Sequence, residues 1–333
     1  MAIIVLRRLE SSQEVENKLI ELGVEYRILS VYGRNIIVAW PDSKLRNVNF
    51  SKDVVDIIVF TKTPYMLTSK EFIEKSSFYL GKIEVGSNDV IIIAGPCAVE
   101  SEEQMLTIAE AVKKVGAHAL RGGAFKPRTS PYSFQGLGER GLKILKKVNE
   151  VTGLPIVTEV MDTRDVELVA KYADALQIGA RNAQNFKLLK EVGKVIKPIF
   201  LKRGFGMTIE ETILAAEYII LEGNDKVAIV ERGIRTFEKS TRFTLDIAAV
   251  PVIKMKTHLP VIVDPSHSAG NRELVEPLAL AAIAAGADGL LIEVHNEPDK
   301  ALSDKEQQLT PKQFQELMNK LRRLAEAIGR RIP

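Results

Sequence analysis

Val90-Ile91-Ile92-Ile93-Ala94-Gly95-Pro96-Cys97 is an apolar run that ends in a turn, and it opens the pattern that decides the fold of this 333-residue chain. Similar short apolar runs follow at 119–122, 156–160, 175–178, 199–202, 227–230, 261–264 and 290–294. A helical stretch comes after each of the eight runs, and strands that alternate with helices are typical of parallel sheets. Eight comparable units predict a closed (β/α)8 TIM barrel, with an open doubly wound sheet as the competing architecture.

Residues 1–61 follow a different order, with strand-like runs at 3–6, 25–29, 35–40 and 54–60 and helical runs at 13–22 and 43–48. This is the order of a split βαβ module, a small ferredoxin-like α+β domain. Residues 62–76 have mixed polarity and contain Pro64, so we expect a linker there. The chain is therefore predicted to consist of an N-terminal domain, this linker and a barrel over residues 77–333.

The overall composition excludes several classes of protein. The 46 basic residues nearly balance the 43 acidic ones, so nothing indicates a nucleic-acid partner, and anion binding has to come from local clusters. No apolar stretch approaches the roughly 20 residues that a membrane span needs. The single cysteine cannot form an intramolecular disulfide, which fits a reducing cytosol. We therefore expect a cytoplasmic protein that binds neither nucleic acid nor membrane.

Four side chains with metal-binding chemistry follow predicted barrel strands. Cys97 follows the first strand, His267 the seventh and Glu293 the eighth, and Asp304 comes eleven residues later. The C-terminal ends of barrel strands meet on one face, where active sites are built. A lone buried cysteine or a hydrogen-bonded histidine is often only structural. Together, however, a thiolate, an imidazole and two carboxylates form a suitable shell for a divalent manganese, iron or zinc ion.

Basic side chains collect at the same strand ends. They are Arg121, Lys126, Arg128, Arg181, Lys202, Arg203 and Arg232. A single arginine at a strand end often pairs with a neighbouring carboxylate. Like charges that converge in a desolvated cleft, by contrast, are costly unless an anion compensates them. The pattern therefore predicts a mouth that binds ligands with several phosphate or carboxylate groups.

The other three histidines are not assigned a catalytic or metal-binding role. His118 and His258 precede strands, so they should lie at the opposite end of the barrel and have no chemical role. His295 follows Glu293 on the active face, where it could support a ligand residue.

Six motifs at the strand ends carry a family resemblance. They are Ala94-Gly95-Pro96-Cys97, Arg121-Gly122-Gly123-Ala124-Phe125-Lys126-Pro127-Arg128-Thr129-Ser130, Ile178-Gly179-Ala180-Arg181-Asn182, Leu201-Lys202-Arg203-Gly204, Asp264-Pro265-Ser266-His267-Ser268 and Glu293-Val294-His295. Through these motifs the chain resembles, over about residues 77–325, the type I, β-subtype 3-deoxy-D-arabino-heptulosonate 7-phosphate (DAHP) synthases. That family condenses phosphoenolpyruvate with erythrose 4-phosphate in the first step of the shikimate pathway, and it uses a divalent metal such as manganese, iron, zinc or cobalt.

The resemblance implies roles for the site residues. The metal ligands would be Cys97, His267, Glu293 and Asp304. Phosphoenolpyruvate would be bound by Arg121, Lys126, Arg181, Lys202 and Arg232. Erythrose 4-phosphate would be bound by Pro127, Arg128, Thr129 and Ser130. Lys126, Arg121 and His267 would be the catalytic residues, with Lys126 as the proton donor at the aldehyde.

Two other functions stay open at this point. The related 3-deoxy-manno-octulosonate 8-phosphate (KDO 8-phosphate) synthases take arabinose 5-phosphate, and they typically carry Ala-Asn before the arginine where this chain has only Pro127. A barrel that serves only as a metabolite sensor should have lost at least one of the four ligand residues, and this chain keeps them all.

The N-terminal domain resembles a small extension that some members of the subtype carry. This implies a regulatory module that binds tyrosine or phenylalanine, and a role in oligomerisation or stability is the alternative. The domain offers Tyr26, Tyr32, Arg34 and Trp40 but no pocket signature. Analogy of fold further implies a homotetramer.

Overall fold

The computed structural model describes residues 1–333, apart from the side chain of Ser11. Its N-terminal part is a four-stranded antiparallel sheet with the elements β1 (Ala2–Leu6), α1 (Ser12–Glu21), β2 (Glu25–Val31), β3 (Arg34–Trp40) and β4 (Val55–Phe60). The strand order is β2-β3-β1-β4. The predicted helical run at 43–48 is only a short 3₁₀ helix, Asp42–Lys44. The order of elements is the expected one, but the second crossover is almost without a helix.

Both faces of this sheet are covered, because alternate residues of a strand point to opposite sides. Ile4 packs on the side of α1, whereas Ile3 and Val5 pack against the segment 65–72. Tyr65 in that segment is 1% exposed. Residues 62–76 therefore do not form an exposed linker, because much of this stretch is packed between the sheet and the barrel.

A hairpin of β5 (Phe78–Leu80) and β6 (Ile83–Val85) precedes the barrel. Its apolar side chains cluster with residues that fill the barrel interior. The ring of Phe78 meets the ring of Phe200 edge-on, with 6.1 Å between centroids. The hairpin thus closes the N-terminal end of the barrel.

Eight parallel strands form the closed barrel: β7 (Ile91–Gly95), β8 (Ala119–Arg121), β9 (Ile156–Val160), β10 (Ala175–Ile178), β11 (Ile199–Lys202), β12 (Val227–Glu231), β13 (Val261–Val263) and β14 (Gly289–Glu293). Each strand pairs with the next, and β14 pairs with β7 from Gly289↔Ile91 to Glu293↔Gly95. The predicted TIM barrel is confirmed, and no strand bound differs from its prediction by more than one residue.

The helices are α2 (Glu102–Val115), α3 (Glu139–Thr152), α4 (Val166–Tyr172), α5 (Phe186–Gly193), α6 (Ile209–Ile220), α7 (Ala249–Lys256), α8 (Pro265–Ala269), α9 (Arg272–Ala284) and α10 (Pro311–Ala327). Thr208 and Glu211 form a capping box that starts α6, because each side chain accepts the other's backbone N–H. Among the described residues, none of the helices combines the length and apolar character that crossing a bilayer requires.

Several contacts join residues 1–76 to the barrel, and two of them involve buried side chains. The carboxylate of Glu217, in α6, accepts the backbone N–H groups of residues 66–68 at 2.8–3.0 Å and the hydroxyl of Thr68 at 2.8 Å. The turn between β2 and β3 places the ring of Tyr32 edge-on against His258, with 5.0 Å between centroids. His258 lies before β13 and bonds the carbonyl of Leu67 at 2.6 Å, so it has the structural place that the sequence predicted.

Candidate functional site

The end of β7 is shaped by Gly95, whose φ is +154°. A Cβ at this position would lie 2.2 Å from the carbonyl oxygen of Arg121, so only glycine allows the two strands to approach this closely. The turn delivers Cys97 to the C-terminal mouth of the barrel, where it is fully buried. Its backbone N–H donates to Oε1 of Gln308 at 2.9 Å.

Cys97, His267, Glu293 and Asp304 meet at one point, and their ligand atoms all lie within 4.8 Å of one another. Sγ of Cys97 lies 3.5 Å from Oδ2 of Asp304. Nε2 of His267 lies 3.4 Å from Glu293 and 3.6 Å from Asp304. On the other side of the ring, Nδ1 lies 2.7 Å from Oδ2 of Asp264. That hydrogen bond holds the proton on Nδ1 and leaves the Nε2 lone pair directed at the two carboxylates.

The electrostatics of this cluster fit a metal ion. Burial raises the pKa of the Cys97 thiol to about 12 and lowers the pKa of the His267 imidazole. A neutral imidazole and two carboxylates then turn their lone pairs toward one another without a proton between them, and a cation would satisfy all of them. The mixed sulfur, nitrogen and oxygen donors suit a transition metal better than magnesium or calcium, which prefer oxygen ligands alone.

Asp264 connects this cluster to the basic side chains of the mouth, because its Oδ2 also accepts from Nζ of Lys202 at 2.6 Å. Burial opposes the ionisation of Asp264, but His267 and Lys202 outweigh it and hold the pKa of the carboxyl well below its usual range. Burial lowers the pKa of Lys202. One carboxylate therefore orients both a candidate metal ligand and a candidate substrate ligand.

The inner cations differ in how their charge is compensated. Arg121 pairs with Glu293, and Nζ of Lys126 lies 3.0 Å from Sγ of Cys97. Arg232 is 3% exposed, has no carboxylate partner among the described residues, and leaves Nη1 without a hydrogen bond. Burial lowers the pKa of this guanidinium to about 10. Arg232 is thus the buried cation whose charge is most available to an anion.

The outer rim consists of residues 127–130 and Arg181, which line a cavity of about 220 Å³ together with Lys126, Lys202 and Arg232. Nη2 of Arg181 lies 3.4 Å from the hydroxyl of Thr129. The rim therefore brings the residues predicted to bind the aldose next to those predicted to bind phosphoenolpyruvate.

Arg203 does not belong to this mouth. Its Nη1 lies 2.9 Å from Glu231 and 2.9 Å from Asp246, and its Nε donates to the carbonyl of Met207. The sequence predicts that six or seven basic groups converge on the mouth, and Arg203 is the one that lies outside the cavity lining, because a double ion pair neutralises it there.

Glu159 is a site residue that the sequence analysis missed. It lies in β9, lines the cavity and is 9% exposed, and its Oε1 has no hydrogen-bond partner. Its Oε2 accepts from Nε2 of Gln177 at 3.2 Å. A Cβ at Gly179 would lie 2.0 Å from Oε1, so this glycine makes room for the carboxylate. A charged residue inside the apolar run 156–160 was the available signal, because a buried unpaired carboxylate is costly.

Loop residues complete the surroundings of the metal-ligand cluster. Nη1 of Arg242 lies 3.1 Å from Asp304, and the hydroxyl of Ser303 lies 3.2 Å from Sγ of Cys97. His295 is buried, and its Nδ1 accepts the backbone N–H of Glu297 at 3.0 Å. A supporting role for His295 stays a prediction.

Comparison with known proteins points to one family. A model described as the DAHP synthetase I family matches residues 63–330. A phospho-2-dehydro-3-deoxyheptonate aldolase from Thermotoga maritima is 53% identical over 280 residues, which are 84% of this chain and 83% of that protein. A crystal structure of the phospho-2-dehydro-3-deoxyheptonate aldolase (DAHP synthase) from that organism matches with a TM-score of 0.81 at 46% identity and covers 100% of this chain and 99% of the other. A 2-dehydro-3-deoxyphosphooctonate aldolase from Syntrophobacter fumaroxidans is 33% identical over 255 residues, 71% of this chain and 88% of that protein.

Proposed function

The chain belongs to the DAHP synthetase I family, and from this we propose how its residues carry out the reaction of a DAHP synthase. This enzyme joins phosphoenolpyruvate, erythrose 4-phosphate and water into DAHP and releases phosphate, the first step toward the aromatic amino acids. The heptonate enzyme is 53% identical and the octonate enzyme 33%, so the expectation from the motifs is confirmed at the level of the family and activity. The same finding argues against the alternative of a barrel that serves only as a metabolite sensor.

One observation supports the assignment of residues. His267 and Asp304 of the four-donor cluster line the same cavity as Arg232, a buried arginine with no carboxylate partner among the described residues. An uncompensated buried cation is costly in the empty protein, and a phosphate dianion removes that cost by accepting its N–H groups. The cavity therefore fits a substrate that combines phosphate with an oxygen to be polarised.

We assign phosphoenolpyruvate to the inner half of the cavity. Arg181 and Arg232 would bind its phosphate, and Arg121, Lys126 and Lys202 would neutralise its carboxylate. Lys202 and Arg121 are each 4% exposed, so their interactions with an anion take place in a low dielectric and are strong. This binding holds the C3 carbon of the enol toward the metal-ligand cluster.

The aldose occupies the outer half. Arg128, Thr129 and Ser130 would bind the phosphate of erythrose 4-phosphate, and Pro127 would keep this segment short. A divalent metal held by Cys97, His267, Glu293 and Asp304 would act as a Lewis acid on the aldehyde oxygen. C3 of phosphoenolpyruvate attacks the aldehyde carbon, and Nζ of Lys126 donates the proton that the resulting alkoxide needs.

Glu159 is our candidate for the general base that activates the attacking water. After the new carbon–carbon bond forms, C2 is electron-poor and water adds to it. Glu159 lines the cavity, and its Oε1, which has no hydrogen-bond partner among the described residues, would accept the proton of that water, while Gln177 holds the other oxygen in place. Loss of phosphate then completes the reaction.

Three wider assignments stay predictions. Tyrosine or phenylalanine would bind at the N-terminal domain, the enzyme would be a homotetramer, and it would be located in the cytoplasm. Tyr32 is not available to an effector here, because its ring packs against His258 and Phe72. A stability role for this domain remains the alternative to regulation.

The decisive experiment measures phosphate release from phosphoenolpyruvate by metal-reconstituted protein, with erythrose 4-phosphate or arabinose 5-phosphate as the second substrate. We expect turnover with the four-carbon sugar that a chelator abolishes. Asp304→Asn should lose this turnover, whereas Asp299→Asn is the matched control, since the Asp299 side chain lies in the same loop and is 89% exposed. Preference for the five-carbon sugar would contradict the assignment, and full activity of Asp304→Asn would contradict the ligand set.

A further inference from the structure

Two phenylalanines form a stacked pair beside the cavity. Phe205 lies in the loop after β11 and Phe243 in the loop after β12, and their ring centroids are 4.7 Å apart with an angle of 8° between planes. Three guanidinium groups lie near these rings. Cζ of Arg232 is 4.0 Å from the centroid of Phe243 and 5.0 Å from that of Phe205. Cζ of Arg181 and Cζ of Arg235 lie 5.4 Å and 5.6 Å from Phe205.

The backbone fixes the position of this pair. The N–H of Phe243 donates to the carbonyl of Ser268 at 3.0 Å, and the N–H of Arg235 donates to the carbonyl of Phe205 at 2.7 Å. Gly233 has a φ of +87°, and a Cβ there would lie 2.8 Å from Cβ of Phe243. The close approach of Phe243 to the end of β12 therefore depends on a glycine.

Arg232 is held differently from the other buried arginines at the strand ends. Arg203 is bound by two carboxylates and Arg121 by one. The single hydrogen bond of Arg232 is from Nη2 to the carbonyl of His267 at 3.3 Å. A carboxylate partner would hold a guanidinium firmly but would neutralise its charge and occupy its N–H groups. An aromatic face attracts the same cation through its π electrons and leaves the N–H groups at the edge of the guanidinium free.

We propose that Phe205 and Phe243 are positioning residues for phosphoenolpyruvate binding: they form an aromatic platform that takes the place of a carboxylate partner for Arg232 and presents it, with Arg181, to the substrate phosphate. This inference rests on the proposed function, because it takes Arg181 and Arg232 as the phosphate ligands. Removal of a ring lets Arg232 turn toward other partners, so the cost falls on the binding of phosphoenolpyruvate. The aldose and the metal, which contact other residues, are not affected.

The test compares three substitutions in the full-length, metal-loaded enzyme. Phe243→Leu removes the platform, Phe243→Tyr keeps an aromatic face, and Phe237→Leu is the matched control from the same loop, where the side chain is 94% exposed. Binding of phosphoenolpyruvate alone is measured by isothermal titration calorimetry, and KM and kcat are measured for both substrates. Zinc affinity and thermal unfolding report whether each variant keeps its fold, and Phe205→Leu replaces Phe243→Leu if the latter does not.

We expect Phe243→Leu to raise Kd and KM for phosphoenolpyruvate about 3- to 30-fold, the range of one or two cation–π contacts. KM for erythrose 4-phosphate and the zinc affinity should stay within about twofold of wild type, and Phe243→Tyr should recover most of the loss. Unchanged binding in Phe243→Leu, or a tyrosine variant as weak as the leucine variant, overturns the platform. If the wild-type enzyme itself binds no phosphoenolpyruvate, the proposed function fails. If the wild-type enzyme binds phosphoenolpyruvate and Phe243→Leu binds it equally well, only the aromatic platform fails.

Discussion

Replacement of Cys97 by serine should remove the pH dependence of metal binding. Burial raises the pKa of the thiol to about 12, so at neutral pH the metal-free protein carries a protonated cysteine that must release its proton when a metal binds. The other ligands need no such step. Burial lowers the pKa of His267, and burial of Glu293 and Asp304 is outweighed by His267 and nearby arginines, which keep the pKa of both carboxyls below the usual range.

The size of the effect follows from the thiol. At pH 7 the solution lies about five pH units below a pKa of about 12, and at about 1.4 kcal/mol per unit the deprotonation opposes binding by about 7 kcal/mol. Each unit by which the pH rises removes about 1.4 kcal/mol of this, so wild-type zinc affinity should increase about tenfold per pH unit between pH 7 and about 9. A serine hydroxyl keeps its proton in this range. Cys97→Ser should therefore bind zinc more weakly and with nearly constant affinity.

Zinc affinity can be measured by competition with a chromophoric chelator, corrected for protonation of the chelator, in steps of one pH unit. Calorimetry in buffers of different ionisation enthalpy counts the released protons independently. Asp299→Asn, with its exposed side chain, should behave like wild type. A wild-type affinity that does not change with pH, or a serine variant that keeps the tenfold slope, would refute the argument.

Four further outcomes are expected. Glu159→Gln should lower kcat by about 10²- to 10⁴-fold in the phosphate-release assay while calorimetry shows little change in phosphoenolpyruvate affinity, and a loss below about fivefold would remove Glu159 from the mechanism. Glu217→Ala leaves the polar hydrogens of residues 66–68 without their acceptor, so urea unfolding should show a loss of at least about 2 kcal/mol, and unchanged stability would contradict the contact. Deletion of residues 1–61 should leave turnover intact and abolish any inhibition by tyrosine or phenylalanine, and inhibition that survives the deletion would refute the regulatory role. Mild peroxide should stop turnover of the metal-loaded enzyme by oxidising Cys97, and a thiol reductant should restore it, so a metal-loaded enzyme that keeps its turnover in peroxide would speak against the thiolate ligand.

The barrel could be predicted from the sequence because its signal is local. Each strand is a short apolar run, and each run is buried on both sides by the helices and the interior of the barrel. The same logic locates Cys97, His267 and Glu293, since residues at the C-terminal ends of barrel strands meet on one face of the barrel. Asp304 lies in a long loop without periodicity, so its carboxylate chemistry in combination with Cys97, His267 and Glu293, and not a position at a strand end, indicated it.

Two features of the site that the sequence did not show have a common physical origin. Lys202 and Arg203 are adjacent at the end of β11, and adjacent residues of a strand point to opposite sides, so Lys202 enters the mouth and Arg203 meets carboxylates outside it. The residue type does not show which of the two neighbours points inward. Glu159 was missed for a related reason, because its Oε1 occupies the space beside Gly179, a residue that directly follows the neighbouring strand β10.

The hairpin of β5 and β6 also determines how substrates reach the site. Because its side chains fill the N-terminal end of the barrel, substrates and products enter and leave through the opening at the C-terminal end. Arg121 and Lys202 are buried deep in this opening, at the C-terminal ends of β8 and β11, and Thr129 and Ser130 are exposed at its rim. If the two substrates bind as proposed, a sugar phosphate at the opening would block the entry of phosphoenolpyruvate, and we therefore predict that phosphoenolpyruvate binds first. The depth of each binding site thus sets the order of substrate binding, and a high concentration of the sugar phosphate should inhibit the enzyme by blocking the opening.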